Sequence, residues 1–309
     1  MDFIYQKTLA KNIEFKGIGL HSGKECKVSI LPAIENYGIV FKRTDIKKNN
    51  LIEANYANVS SAVLCTKLKN NFDVTVSTVE HLLASLYLMG IDNALIELNS
   101  EEVPIMDGSA KNFVDLIINS GTETQTAKRK YLYVTEKVEH IVNNKFISIE
   151  PMENNFEVNF KLIYQNSVIG IQENKLKIFQ NSNLELKDII NARTFCLLED
   201  VEKIKKAGLA RGGSLENAIV VDKDKILNDG GLRNKKEFVN HKILDCIGDL
   251  YTSGYRIVGS VKCSQGGHYL TNQLLRKVFQ NKENFSILEI KEKNLPHSLI
   301  NRNLLKSIA

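Results

Sequence analysis

The chain has 309 residues, 43% of them hydrophobic and 25% charged, with a formal net charge of +5; this length exceeds the usual single core, so two domains of roughly 130–160 residues are expected. No stretch reaches the ~18 consecutive apolar residues of a membrane helix, and the small basic excess comes without an aromatic-interleaved basic stripe or a nucleic-acid motif, which leaves at most peripheral contact with an anionic membrane and no nucleic-acid partner. Five cysteines, Cys26, Cys65, Cys196, Cys246 and Cys263, are scattered, odd in number and without a C-x-x-C pair, which argues against a disulfide framework and a cysteine-bound metal.

The N-terminus, Met1 to Lys7, lacks the basic start, apolar core and small-residue cleavage site of a secretory signal, so a reducing cytoplasm is the expected compartment. Residues 1–45 read as strands, with alternation at Cys26, Val28 and Ile30 and a run from Gly38 to Phe41. Gly17-Ile18-Gly19-Leu20-His21-Ser22-Gly23 reads as a strand bent at its glycines, with His21 a structural hydrogen-bonding residue before it is a catalyst. Ala62-Val63-Leu64-Cys65-Thr66 reads as a short apolar strand leading through a turn at Asn70-Asn71. Ser77-Thr78-Val79-Glu80-His81 then opens a leucine-rich helix that stops at Gly90, and Ser77-x-x-Glu80 matches a capping box. The strand Ala94–Leu98 follows, then a turn over Pro104–Ser109 in which Asp107 or Ser109 can cap a helix from Asn112 to Asn119. Ser120 to Lys130 is the most linker-like stretch, and the domain boundary is placed there.

Strands resume at Tyr131–Val134, Phe146–Ile149 and Phe156–Phe160. Ala192-Arg193-Thr194-Phe195-Cys196, a charged helix over Glu199–Lys206, the loop Gly208–Ser214 and the strand Ala218–Val221 form a β-α-β excursion, read as an insertion. Its glycines match no phosphate-binding pattern, so the loop is expected to be mobile. A helix from about Glu237 to Tyr251 carries His241, Asp245 and Asp249 within about 80° of one another, with Ile243, Ile247 and Leu250 on the far side. It ends near Gly254 and is followed by the strand Arg256–Val261, so a His-bearing helix, a glycine stop and a strand occur once in each half. Ser264-Gln265-Gly266-Gly267-His268 reads as a flexible loop before a helix from Asn272 to Phe279, and the tail from Lys291 reads as peripheral.

His241-x-x-x-Asp245 sets an imidazole and a carboxylate one helical turn apart, a spacing that lets both bind one ion but that is also common on solvated helix faces. A third ligand decides between these readings. His81 is the candidate, because helices from two similar halves can pack with their non-sheet faces together; three protein ligands and an open position describe a catalytic zinc site. Glu80 beside it then has two competing readings, a helix cap or a general base for water near the metal.

Taken together, Gly19–Gly23, Ser77–His81, Pro104–Ser109, Ala192–Phe195, Arg211–Ala218, Phe238–Asp245 and Gly267-His268 resemble, in order and over nearly the whole chain, the UDP-3-O-acyl-N-acetylglucosamine deacetylases of bacterial lipid A synthesis. The resemblance implies an α+β fold of two similar β-α-α-β domains, 1–125 and 126–295, their helices packed between two outer sheets. It also implies an insertion at about 196–221 forming an apolar passage for an acyl chain, and a tail over 296–309. It implies one Zn²⁺ held by His81, His241 and Asp245, with Fe²⁺ an alternative, and hydrolysis of the 2-acetamido group of a UDP-linked acylated glucosamine to a free amine and acetate. Glu80 would be the general base, Thr194 would donate to the oxyanion, and His268, kept cationic by Asp249, would protonate the departing amine. Lys242, Phe195, Cys65 and Leu64 would contact substrate, Lys242 facing the diphosphate. The family usually has a lysine before a proline where this chain has Glu150-Pro151, and a basic residue where it has Gln265. Lys262 and Lys161 are therefore the candidates to compensate.

Two other readings stay open: a zinc amidase for a different acylated amino sugar, and a catalytically silent, metal-stabilised or ligand-binding protein. A monomer is expected.

Overall fold

Alternation in Glu25–Pro32, where Cys26, Val28 and Ile30 are buried between more exposed neighbours, builds the interior of a five-stranded sheet ordered Ile13–Ile18, Glu25–Pro32, Ala94–Leu98, Ile39–Arg43, Leu51–Glu53. The computed structural model describes residues 3–179 and 183–289, so the expected tail at 296–309 lies outside the described residues. A seven-stranded sheet joins Lys130–Val134, Val138–Val142, Lys145–Glu150, Phe156–Ile163, Ile171–Lys177, Arg256–Ser264 and Phe285–Glu289. The helices among the described residues are α1 (Glu80–Met89), α2 (Lys111–Ser120), α3 (Asn183–Ile190), α4 (Leu198–Lys206), α5 (Glu237–Tyr251) and α6 (His268–Gln280). The chain is thus mixed α+β.

The two sheets repeat one arrangement. Ala94–Leu98 runs antiparallel to Glu25–Pro32 and parallel to Ile39–Arg43. Arg256–Ser264 runs antiparallel to Lys145–Glu150 and parallel to Phe156–Ile163. Each of these strands follows a buried helix and a left-handed glycine, Gly90 (φ 80°) after α1 and Gly254 (φ 78°) after α5.

α1 and α5 pack on each other and sit deep in the molecule. Every residue of α1 is buried, and in α5 every residue but Lys242. Their backbones touch at Gly248, where a Cβ would stand 2.0 Å from the carbonyl oxygen of Glu80. This contact fixes how near the polar stripe of α5 comes to the start of α1. Gly248→Ala is expected to push the helices apart and destabilise the fold by about 1–3 kcal/mol or more, the range of core overpacking. Equilibrium denaturation checks this, and an unchanged midpoint would refute the backbone contact.

Several expectations need correction. Ala62–Thr66 is not a strand but a bend between Val59–Ser61 and Lys67–Lys69, with Leu64 at φ 64° and Val63 70% exposed. The capping box does not form: the N-cap of α1 is Val79 without a side-chain bond, Ser77 Oγ donates to the Glu101 carbonyl, and the Glu80 carboxylate turns to the Thr66 amide. The expected linker is largely a strand, Thr122–Lys128, paired antiparallel with Tyr5–Leu9. Gly17–Gly23 is a strand only to Ile18, after which Gly19–Gly23 is a turn closed by Gly23 N–H on the Gly19 carbonyl. Finally, α6 starts four residues earlier than expected, with His268 as its first residue.

The excursion after Thr194 has the expected β-α-β form. Phe195–Leu197 pairs in parallel with Ile219–Asp222 across α4, and Lys225–Ile226 adds a third strand. Its glycine loop is held rather than free: Arg211 and Gly212 N–H donate to the His21 and Leu20 carbonyls, and a Cβ on Gly212 would stand 2.3 Å from the Gly19 oxygen.

Candidate active site

The crossing of α1 and α5 brings three buried side chains to one point. His81 Nε2 and His241 Nε2 each lie 3.3 Å from Asp245 Oδ1, and the three candidate ligand atoms all lie within 4.8 Å of one another. His241 Nδ1 is 3.1 Å from the Ala192 carbonyl, which fixes that nitrogen as the N–H and leaves Nε2 with its lone pair. Burial pushes the His241 pKa down to about 3, so the ring is neutral. Burial alone would raise Asp245, but His241 and then Lys242 hold it well below the usual carboxylate range. The short contacts gather three buried side chains. They are two imidazoles and an anionic carboxylate whose Oδ1 is buried without a hydrogen-bond partner, which is costly unless a cation is bound there. The 3.3 Å spacing of Asp245 Oδ1 from each imidazole nitrogen is that of donors around a tetrahedral ion with bonds of ~2.0 Å. The donor set fits one metal ion.

Next to this point lies a closed group of four residues. His268 Nδ1 is 2.8 Å from Asp249 Oδ2, and its Nε2 is 3.8 Å from Glu80 Oε1. Thr66 completes the ring: its hydroxyl donates to Asp249 Oδ1 at 2.6 Å and its amide donates to Glu80 Oε2 at 3.0 Å. Burial alone would lower the His268 pKa, but Asp249 and then Glu80 outweigh it and raise it to about 9, so the ring carries a proton at neutral pH. Burial raises the Glu80 pKa, against the pull of His268 and His81. A carboxylate with raised basicity beside a charged imidazole can take one proton while the imidazole gives another.

His81, His241 and Asp245, with Glu80 and His268, face a cavity of about 500 Å³, whose wall also holds Thr194, Phe195, Leu64 and Lys242. A second, apolar cavity of about 380 Å³ runs on from it, sharing Leu20, His21, Leu64, Thr194 and Phe195, and is walled by Leu198, Val201 and Ile204 of α4. His21 therefore stands at the junction, its Nδ1 accepting the Ala210 N–H at 3.4 Å. The turn that carries it is fixed by the buried Glu102, whose carboxylate accepts from the His21 and Ser22 amides and from Thr78 Oγ1.

The other expected substrate contacts divide. Leu64 and Phe195 line both cavities, whereas Cys65 is buried and lines neither. Lys242 reaches the first cavity with its Nζ 2.7 Å from Asp245 Oδ2, so it is paired with a candidate ligand. Lys262 and Lys161 line neither cavity, and Lys262 is bonded to Glu150. The other lysine in the wall of the first cavity is Lys145. Thr66 carried no signal in the sequence beyond its place in an apolar run. Its partner Asp249 is 183 residues away.

Residues 6–280 match the family model described as UDP-3-O-acyl N-acetylglycosamine deacetylase. The chain is similar to the UDP-3-O-acyl-N-acetylglucosamine deacetylase of Pasteurella multocida, 41% identical over 295 residues that cover 95% of this chain and 96% of the relative. It is likewise 41% identical to that of Haemophilus influenzae strain 86-028NP, over 94% of this chain and 95% of the relative. With that of Shewanella violacea it shares 40% identity over 96% of each. On the family match and these relatives together, the chain belongs to the UDP-3-O-acyl-N-acetylglucosamine deacetylase family.

Proposed function

We propose that this protein hydrolyses the 2-acetamido group of a UDP-3-O-(3-hydroxyacyl)-N-acetylglucosamine, the deacetylation step of lipid A synthesis, leaving a free amine and releasing acetate. The observation that carries this is the convergence of His81, His241 and Asp245 beside the Glu80–His268 pair, at the mouth of an apolar cavity. His81, His241 and Asp245 would hold one Zn²⁺, with Fe²⁺ compatible with the same donors. When bound, the ion supplies a Lewis acid that polarises the amide and makes water a nucleophile at neutral pH.

The chain's own groups handle the protons. Glu80 takes one from the attacking water as the C–O bond forms, and Thr194, on the cavity wall, donates to the developing oxyanion. His268 gives its proton to the amide nitrogen as the C–N bond breaks, and Asp249 keeps the ring oriented and charged. The acyl chain occupies the apolar cavity along α4, where each methylene removed from water contributes ~0.8 kcal/mol to binding. Phe195 and Leu64, on both cavities, contact it at the junction. Lys242 and Lys145 give the first cavity positive charge for the diphosphate.

We read the architecture as two similar β-α-α-β halves with helices between outer sheets, dividing near residue 125, on the strength of the repeated helix, glycine and strand order. Five free cysteines suit a reducing cytoplasm, and no helix among the described residues is long and apolar enough to cross a membrane. The test is release of acetate and of a free amine from the acylated UDP-sugar by the purified protein. Failure to turn over this substrate, with turnover of another acylated amino sugar, would overturn the substrate assignment.

A further inference from the structure

We propose that Thr66 is a positioning residue that sets the Asp249–His268 pair and Glu80 in register with one another, and that the hydroxyl, not the side-chain bulk, is what the site needs. The proposal rests on the roles given above to Asp249, His268 and Glu80. Thr66 is 2% exposed and lines neither cavity, so it touches no substrate and acts only through what it holds.

It holds two carboxylates from different helices. The Asp249 carboxylate has one oxygen on His268 Nδ1 and the other on Thr66 Oγ1. The Glu80 carboxylate has one oxygen on the Thr66 amide and the other toward His268 Nε2. Hydroxyl and amide of one residue thus span the site, and a β-branched side chain with a restricted χ1 gives this brace little freedom. Without the hydroxyl, Asp249 Oδ1 is left buried and unpaired. The carboxylate then rotates toward other donors, and the imidazole bonded to its second oxygen turns with it. Proton transfer tolerates displacements of only about 0.5 Å.

The loop has a second face. Because Leu64 takes φ 64°, the chain doubles back, so Leu64 reaches both cavities while Thr66, two residues on, sits under the catalytic carboxylates. Residues 62–66 therefore form one bend that touches the acyl passage on one side and braces the proton-transfer groups on the other. An apolar run that is 70% exposed at Val63 and buried at Thr66 has this division of labour as its physical account.

The test uses Thr66→Val, which keeps the amide and nearly the volume but loses the hydroxyl, and Thr66→Ser, which keeps the hydroxyl. We expect Thr66→Val to lower kcat about 10- to 100-fold, with KM within about twofold and metal content unchanged, and Thr66→Ser to recover most of the loss. In an Asp249→Asn background, Thr66→Val should cost less than about threefold, because groups that act as a unit are not additive. Wild-type kcat in Thr66→Val, a Thr66→Ser variant as slow as it, or the full loss repeated in the Asp249→Asn background would overturn the proposal. Failure of the underlying roles shows separately, as wild-type turnover in Asp249→Asn alone.

Discussion

His81→Ala is expected to reduce acetate release by at least about 10³-fold and to leave the purified protein with little bound metal. His81 is the one candidate ligand on α1, and with it gone an ion would be held by two groups of one helix, His241 and Asp245, one turn apart. Two protein ligands fall short of the three that catalytic sites use. Treating the wild-type protein with a chelator should abolish turnover in the same way, and added Zn²⁺ should restore it. The fold should survive demetallation, since α1 and α5 are buried against apolar residues on their other faces. Metal analysis and far-UV circular dichroism on the same samples separate the outcomes. Full activity in protein shown to be metal-free would sink the metal-centred reading.

Glu80→Ala is expected to cost about 10²- to 10⁴-fold in kcat, the usual contribution of a positioned general base, while metal content stays near that of wild type. Glu80 is adjacent in sequence to a candidate ligand, yet its carboxylate points elsewhere, to the Thr66 amide and toward His268. Loss of the side chain removes the proposed proton acceptor and leaves His81 on the same helix turn. It also frees a buried N–H at Thr66, so a modest fall in thermal midpoint is expected as well. The decisive quantity is specific activity per folded, metal-loaded molecule. Should that value equal wild type, Glu80 serves only to anchor the Thr66 loop.

The sequence made the two central helices and the candidate ligands legible, and the reason is burial. α5 runs over Glu237–Tyr251 as the apolar spacing predicts, and its polar stripe turns inward, Asp245 and His241 toward His81 at the start of α1 and Asp249 toward His268 and Thr66. The β-α-β excursion was equally plain from its charged helix between two apolar strands. Where the reading failed, distant partners had overridden local pattern. Ser77 and Glu80 have the spacing of a cap, but Glu101 and Thr66 offered bonds from elsewhere in the chain. Thr122–Lys128 is polar because most of its residues are exposed, and it is a strand because Tyr5–Leu9 supplies the other edge. A short apolar run such as 62–66 is ambiguous by periodicity, and only the positive φ at Leu64 reveals the bend. The exposed strands at Val138–Val142 and Ile171–Lys177 left too little alternation to stand out.

The contact at Gly248 also bears on how the enzyme is made. His81 and His241 are 160 residues apart, and a ribosome adding about 5–20 residues per second needs roughly 8–30 s to pass from one to the other. Through that interval α1 exists without α5, and the face that α5 covers, His81 included, lacks its partner. The three candidate ligands meet only once α5 has docked with Gly248 against the Glu80 carbonyl. On the proposed reading, the metal is then a late arrival in biogenesis: it is captured by a docked pair of helices, and a nascent first half would be too incomplete to hold it.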